Sequence, residues 1–281
     1  AGDPALGENE MKQYLFCDLD GTLLFDQSDG SYDISPADLQ ALCVLPQHNI
    51  ELVLASGRAC NAAVFVKERL GYSVDMIALN GAMLLCKGRE EQITGLPVRD
   101  YRMITEDIAA HFPQVSMGTL HFDGNYYMKE PLLEDYIGRL RRHQLHDHAY
   151  GMQNDDHLVN GDEDRLIPKI LFYVKRLSDP DQVYRYLQDH YGDRYDFLFS
   201  STAIVECLPK GISKAIGIQR YMKEHQLTEA QCWAVGDSDN DVEMLKLFAN
   251  SCCMRHGTAA AKKAAATTVE NVKEAIEMMI G

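Results

Sequence analysis

No stretch of this 281-residue chain is long and apolar enough to span a bilayer. Runs such as 50–56 and 75–79 stop after a handful of residues, far short of the ~20 that a spanning helix needs. Basic residues are in the minority, 27 Lys and Arg against 42 Asp and Glu, for a net charge of −15. That sign is wrong for gripping a phosphate backbone, so neither a nucleic acid nor a membrane is an expected partner. The eight cysteines, at 17, 43, 60, 86, 207, 232, 252 and 253, include no C-x-x-C pair. Most sit in apolar segments, as buried free thiols do, which points to a reducing, cytoplasmic setting. The adjacent Cys252 and Cys253 read as two small core residues on a strand end rather than a redox pair. Repeats and low-complexity tracts are absent, apart from an Ala-rich helix over 258–266. Residues 1–10 have neither the basic start nor the apolar stretch of a signal peptide. They are expected to lie outside the fold, as a flexible leader or an expression remnant.

What is present is ordinary for a globular protein. Hydrophobic residues make up 46% and charged residues 25% of the chain, and its length suits one large domain or two ordinary ones. The segment 11–17 carries Tyr14, Leu15, Phe16 and Cys17 in an unbroken apolar run and breaks at Asp18-Leu19-Asp20-Gly21, which reads as a buried strand ending in a turn. Ser35-Pro36 reads as an N-cap with Pro at the first helical position, opening a helix to about Leu45. A strand over 50–55, a helix over 61–70 and a strand over 76–79 follow. Another strand, 231–235, again ends in an acidic turn. Such alternation predicts an α/β fold with a doubly wound parallel sheet, whose ligands sit beyond the carboxyl ends of the strands. The middle is different. Candidate strands at 115–123, 125–129, 169–175, 196–200 and 203–208 come partly as hairpins, one closed by Asp123-Gly124. Amphipathic helices are expected at 101–111, 132–145 and 180–191. The stretch from Ser56 to Lys214 is far longer than the ~30 residues of a strand–helix–strand unit. The expected organisation is therefore a Rossmann-like core, 11–90 and 210–281, with an α+β cap domain inserted at 91–209.

The chemistry gathers at strand ends. Asp18-Leu19-Asp20-Gly21 alone also occurs in calcium loops and surface turns. The second acidic turn, Gly236-Asp237-Ser238-Asp239-Asn240-Asp241, is not an EF-hand, because position six is Val242 rather than Gly and position twelve is Phe248 rather than Glu. Two acidic strand ends meeting at one sheet edge cannot all stay ionised without a cation, and hard oxygen ligands suit Mg²⁺. Ser56-Gly57-Arg58 offers a hydroxyl and a turn amide, and Lys214 at a helix start offers a positive charge. Together they would stabilise a dianionic phosphoryl group.

In this order the segments Phe16-Cys17-Asp18-Leu19-Asp20-Gly21-Thr22-Leu23-Leu24, Leu54-Ala55-Ser56-Gly57-Arg58, Pro209-Lys210-Gly211-Ile212-Ser213-Lys214 and Gly236-Asp237-Ser238-Asp239-Asn240-Asp241-Val242-Glu243-Met244-Leu245 resemble the four motifs of the haloacid dehalogenase-like phosphatases. Ala78-Leu79-Asn80-Gly81-Ala82 is similar to a fifth segment typical of the Cof-type sugar phosphatases, which carry a large cap between the second and third motifs. The match covers about half the chain. The resemblance implies Asp18 as the nucleophile and Asp20 as general acid and base. It also implies Mg²⁺ held by Asp18, the Asp20 carbonyl and Asp237, with Asp241 close by. Ser56 and Lys214 would bind phosphoryl oxygens, Gly57 would let the turn approach closely, and Asn240 would support the phosphate or Lys214. The implied activity is hydrolysis of a small phosphate ester, foremost a sugar phosphate, through an aspartyl phosphate. Phosphotransfer, as in phosphomutases of similar architecture, and a non-catalytic regulatory module are the alternatives.

Some residues stay open at this stage. Arg58 would either serve the site or pair with an acidic neighbour, and Asn80 and Gly81 would either line the site or shape the turn into the cap. Lys210 competes with Lys214, and the spacing favours Lys214. Gly257-Thr258-Ala259 replaces the Gly-Asn-Ala of many Cof-type relatives. His143, His146 and His148 read as a solvated helix end, and the lone Trp233 as a core residue.

Overall fold

The computed structural model describes residues 11–28, 31–122, 124–129, 152–174, 179–201 and 203–281. The chain opens with β1 (Gln13–Cys17), the small hairpin β2 (Leu24–Asp26) and β3 (Tyr32–Ile34), then α1 (Pro36–Cys43), β4 (Ile50–Ala55), α2 (Asn61–Leu70), β5 (Asp75–Ala78), β6 (Met83–Cys86) and β7 (Arg89–Gln92). A second region holds β8 (Leu96–Pro97), α3 (Val98–His111), β9 (Val115–Leu120), β10 (Tyr126–Met128), β11 (Met152–Asn154), α4 (Asp156–Val159), β12 (Leu166–Ile167), β13 (Ile170–Val174), α5 (Pro180–Tyr191), β14 (Tyr195–Ser201) and β15 (Ile204–Pro209). The chain then returns through α6 (Lys214–His225), β16 (Cys232–Gly236), α7 (Val242–Lys246), β17 (Ser251–Met254), α8 (Ala259–Ala264), β18 (Thr267–Val269) and α9 (Val272–Ile280).

The first and last regions share one eight-stranded sheet, ordered β18-β17-β16-β1-β4-β5-β6-β7. Its strands run parallel from β18 to β5, and β6 and β7 extend it as an antiparallel edge. Alternation along β1 shows why both faces are covered. Leu15 and Cys17 enter one hydrophobic cluster while Tyr14 and Phe16 enter another on the opposite face, as a two-residue period requires. Cys252 and Cys253 divide between the same two faces. They point apart as free thiols, in keeping with core residues. Trp233 is half-buried and packs against the first cluster.

The middle region forms a six-stranded sheet, β11-β10-β9-β13-β15-β14, antiparallel except between β10 and β11. Helices α3 and α5 bury Tyr101, Ile104 and Ile108, and Val183 and Leu187, in its own core. Leu120, Met128, Leu171 and Tyr173 instead join the large-sheet cluster, so the two regions pack together.

Local sequence accounts for several helix ends. Ser35 caps α1 by accepting from the Asp38 amide, with Pro36 at the first position, as the pattern predicts. The helix stops at Cys43 because Pro46 opens a separate 3₁₀ turn, Leu45–His48. Helix α3 starts three residues earlier than its apolar period suggests, directly after Pro97. The helix expected at 132–145, with His143, His146 and His148, lies outside the described residues.

Candidate active site

The strand order reverses at β1: the chain passes from it to β4 on one side, and β16 adds on the other. In open α/β sheets that crevice is where ligands bind. Asp18 follows β1, Ser56 follows β4 and Asp237 follows β16. Lys214 is the first residue of α6, whose N-cap Ser213 accepts from the Ile216 amide, and the cap aims the lysine back under the strand ends.

The Lys214 ammonium, 1% exposed, donates to Asp18 Oδ1 and to Asp241 Oδ1, both at 2.6 Å. Asp18 and Asp241 are also buried. The second oxygen of Asp241 accepts from the amides of Asp237 (3.0 Å) and Ser238 (3.1 Å), so this carboxylate is used up in positioning Lys214 and the loop. Asp237 Oδ1 accepts from the Thr22 hydroxyl at 3.1 Å. Among the described residues, Oδ2 of Asp18 and of Asp237 makes no hydrogen bond. Oxygens of Asp18, Asp237 and Asp241 lie within 4.8 Å of one another.

One ammonium cannot neutralise three carboxylates. Burial and then the Asp241 charge push the Asp18 carboxyl well above its ordinary range. Burial and Asp241 also raise Asp237. Lys214 shows the complement: burial works against its charge, but Asp18 and Asp241 outweigh that and raise it.

Asp20 stands apart from this cluster. Its carboxylate receives Arg58 Nε at 2.7 Å, Arg58 Nη2 at 2.5 Å and the Tyr32 hydroxyl at 2.7 Å. Partial desolvation pushes the group up, but Arg58 and these hydrogen bonds more than reverse it and hold it at about 2. Arg58 therefore pairs with Asp20 and faces the cavity as well.

That cavity, about 520 Å³, lies between the two sheets; Asp18, Ser56, Arg58 and Asn240 line it from below and Lys169 and Glu206 from above. Ser56 Oγ accepts from the Arg58 amide at 3.2 Å, which leaves its O–H as a donor. Asn240 accepts from the Ser238 hydroxyl at 2.7 Å and makes no bond to Lys214 among the described residues. Asn80 is buried with Nδ2 3.4 Å from Glu206 Oε2 and Oδ1 unpartnered. Gly81 serves packing: at φ 97°, a Cβ there would lie 2.3 Å from the Ser213 carbonyl oxygen, the residue that caps α6. Lys210 bonds the Gly192 carbonyl and Asp196 at the surface, which leaves Lys214 as the site lysine. The Gly257-Thr258 turn braces the acidic loop, because the Thr258 amide donates to the Asp237 carbonyl at 2.8 Å and a Cβ at 257 would come within 2.6 Å of the same oxygen.

Tyr32, Lys169 and Glu206 escape a reading from sequence. The available signal is a charged residue inside or beside an apolar strand, Glu206 in Ile204–Pro209 and Lys169 just before Ile170–Val174. Two opposite charges so placed on adjacent strands invite pairing.

The same architecture recurs in known proteins. A family model described as haloacid dehalogenase-like hydrolase matches residues 15–280, and the chain belongs to that family. An HMP-PP phosphatase of Serratia proteamaculans (strain 568) is 27% identical over 234 residues, covering 81% of this chain and 78% of the relative. The 5-amino-6-(5-phospho-D-ribitylamino)uracil phosphatase YitU of Bacillus subtilis (strain 168) is 23% identical over 277 residues, 95% of this chain and 96% of its own. Among solved structures, the subclass IIB sugar phosphatase BT4131 superposes with a TM-score of 0.77 at 16% identity, covering 95% of this chain and 99% of that one. At that identity it shows the shared fold alone. Within the family the chain is a phosphatase. No described helix is long and apolar enough to cross a membrane.

Proposed function

We propose that the protein is a Mg²⁺-dependent phosphatase of the cytoplasm that hydrolyses small phosphorylated metabolites, sugar phosphates foremost, through an aspartyl phosphate on Asp18. The observation that carries this reading is the buried Asp18–Lys214–Asp241 chain with Asp237 beside it, opening into a cavity that Ser56 also lines. The cavity's volume suits a small molecule. Its roof of residues from the 91–209 insertion, read here as a cap on the 11–90 and 210–281 core, would exclude a protein surface.

The donor set fits the proposed ion. Asp18 and Asp237 each keep an uncommitted oxygen, the excess negative charge calls for a cation, and all-oxygen ligands favour Mg²⁺. When bound, the ion would neutralise charge on the phosphoryl oxygens. Asp18 would attack phosphorus, and Lys214 would hold both the nucleophile's Oδ1 and a phosphoryl oxygen. The Ser56 hydroxyl would donate to another.

Asp20, held ionised by Arg58, is ready as the base that activates water in the second step. For the first step it must carry a proton to the leaving alkoxide, which requires Arg58 to turn from Asp20 to the anionic ester. These contributions must act together, because enzymes accelerate phosphate-monoester hydrolysis by up to ~10²¹-fold and acid–base help alone supplies about 10²–10⁴.

A phosphate-release screen over a panel of phosphorylated metabolites, with Mg²⁺ and with EDTA, tests the reading. Release that depends on Mg²⁺ supports it. Isomerisation of a hexose phosphate without release would make the protein a phosphomutase instead, and neither outcome would point to a binding module.

A further inference from the structure

The proposed chemistry uses neither Lys169 nor Glu206, although both are almost fully buried, at 3% and 5% exposed. Burying an ion pair costs much of what its attraction returns, so its bonding partners matter. Lys169 Nζ lies 3.0 and 2.9 Å from the two Glu206 oxygens and 3.2 Å from the Gly57 carbonyl oxygen. Glu206 in turn accepts from Asn80 at 3.4 Å. Both charges therefore sit on the upper sheet, while their outward bonds land on two turns of the lower one.

Those turns are themselves joined, since the Leu79 amide donates to the Arg58 carbonyl at 2.9 Å and the Asn80 amide to the Ser56 carbonyl at 3.0 Å. Leu79 and Asn80 take left-handed backbone angles, φ 52° and 56°, which persist only where surroundings hold them.

The direction of the bonds gives the pair a task. An ammonium has three N–H donors, and here three acceptors take them, so none is left to read a substrate. The Gly57 carbonyl and the Arg58 amide belong to one trans peptide and point opposite ways. Lys169 holds the oxygen end, the N–H end donates to Ser56 Oγ, and the Ser56 O–H is thereby turned outward as a donor. Hydrogen bonds in such a chain strengthen one another.

We propose that the Lys169–Glu206 pair is a latch by which closure of the upper region sets the Ser56-Gly57-Arg58 turn in its phosphate-binding form. Lys169 acts as a positioning residue through the Gly57 carbonyl. Opening, which a substrate buried between the sheets requires for entry and release, breaks that bond and loosens the phosphate grip in the same movement. The inference rests on the reading of Ser56 as a phosphoryl donor.

The test compares Lys169→Met with the double variant Lys169→Met/Glu206→Gln. The single variant strands a buried carboxylate and is expected to be unstable, whereas the double one removes both charges at nearly constant volume. Two readouts are taken. Inorganic phosphate, too small to touch the upper sheet's side of the leaving-group space, is used as a competitive inhibitor of p-nitrophenyl phosphate hydrolysis. Amide hydrogen exchange is followed in the free protein at 56–58 and 79–81, with β1 and β16 as internal controls.

The latch predicts that the double variant regains stability yet binds phosphate about tenfold more weakly, the loss expected for one charge-assisted hydrogen bond. Its preference between a sugar phosphate and p-nitrophenyl phosphate should be unchanged, and exchange at the two turns should be faster. Phosphate affinity at the wild-type level would overturn the proposal, whether leaving-group preference shifts, as for a substrate reader, or stays the same, as for a purely structural pair. If the wild type releases no phosphate at all, the proposed function fails, and unchanged exchange at 56–58 would separately remove the latch.

Discussion

Arg58 grips the Asp20 carboxylate through two hydrogen bonds, Nε to Oδ2 and Nη2 to Oδ1, while the Tyr32 hydroxyl reaches Oδ1 as well. This three-donor clasp holds Asp20 at about 2 and explains how two carboxylates two residues apart sit in different electrostatic surroundings. Asp18 is drawn into the buried cluster with Lys214, and Asp20 is kept at the mouth as a charged, partly exposed group.

If Asp20 serves as acid and then base, Asp20→Asn slows both steps, but unequally between substrates. A sugar alkoxide must be protonated as it leaves, whereas nitrophenolate departs without help. Rapid-mixing kinetics on the variant should show a burst of nitrophenol and then a slow steady rate with p-nitrophenyl phosphate, and a far larger loss with a sugar phosphate. An equal loss on both substrates without a burst would reduce Asp20 to a structural residue.

Lys214→Met leaves Asp18 and Asp241 facing each other without their shared cation. Breaking a buried ion pair on one side costs about 3–5 kcal/mol, and urea unfolding should show a loss of that order. Added Mg²⁺ should recover part of it, because a ligand that binds only the folded state stabilises it. Unchanged stability in the absence of Mg²⁺ would mean that the lysine is not the counter-charge of this cluster.

Gly81→Ala tests whether this residue lines the site or packs the fold. Its left-handed backbone would cost a side chain about 1–2 kcal/mol, and crowding against the Ser213 carbonyl roughly 1–3 kcal/mol more. A loss of roughly 2–5 kcal/mol is expected, with KM little changed in the folded fraction. A raised KM at wild-type stability would return Gly81 to the substrate.

Much of this was legible in the sequence, for reasons that can be located. Helices α2 and α5 begin and end where their apolar period and flanking residues say, and Asp18, Ser56 and Asp237 are readable because each follows an apolar strand at a break. The edge strand Arg89–Gln92 carries no apolar residue, so no period marks it. The strand Thr267–Val269 is too short to show one. Tyr32, Lys169 and Glu206 reach the site only through register and sheet-to-sheet packing. Lys169 and Gly57 are 112 residues apart in sequence, and nothing local announces their meeting.

The central claim is that Asp18 becomes covalently phosphorylated. The most direct measurement is acid-quenched trapping: the Asp20→Asn protein is mixed with Mg²⁺ and p-nitrophenyl phosphate, quenched within the burst, digested and analysed by mass spectrometry. One phosphoryl group on the peptide that contains Asp18, absent from the Asp18→Asn/Asp20→Asn double variant, is the predicted result. Nitrophenol release with no phosphoryl adduct at Asp18, or with the adduct on another residue, would contradict the account.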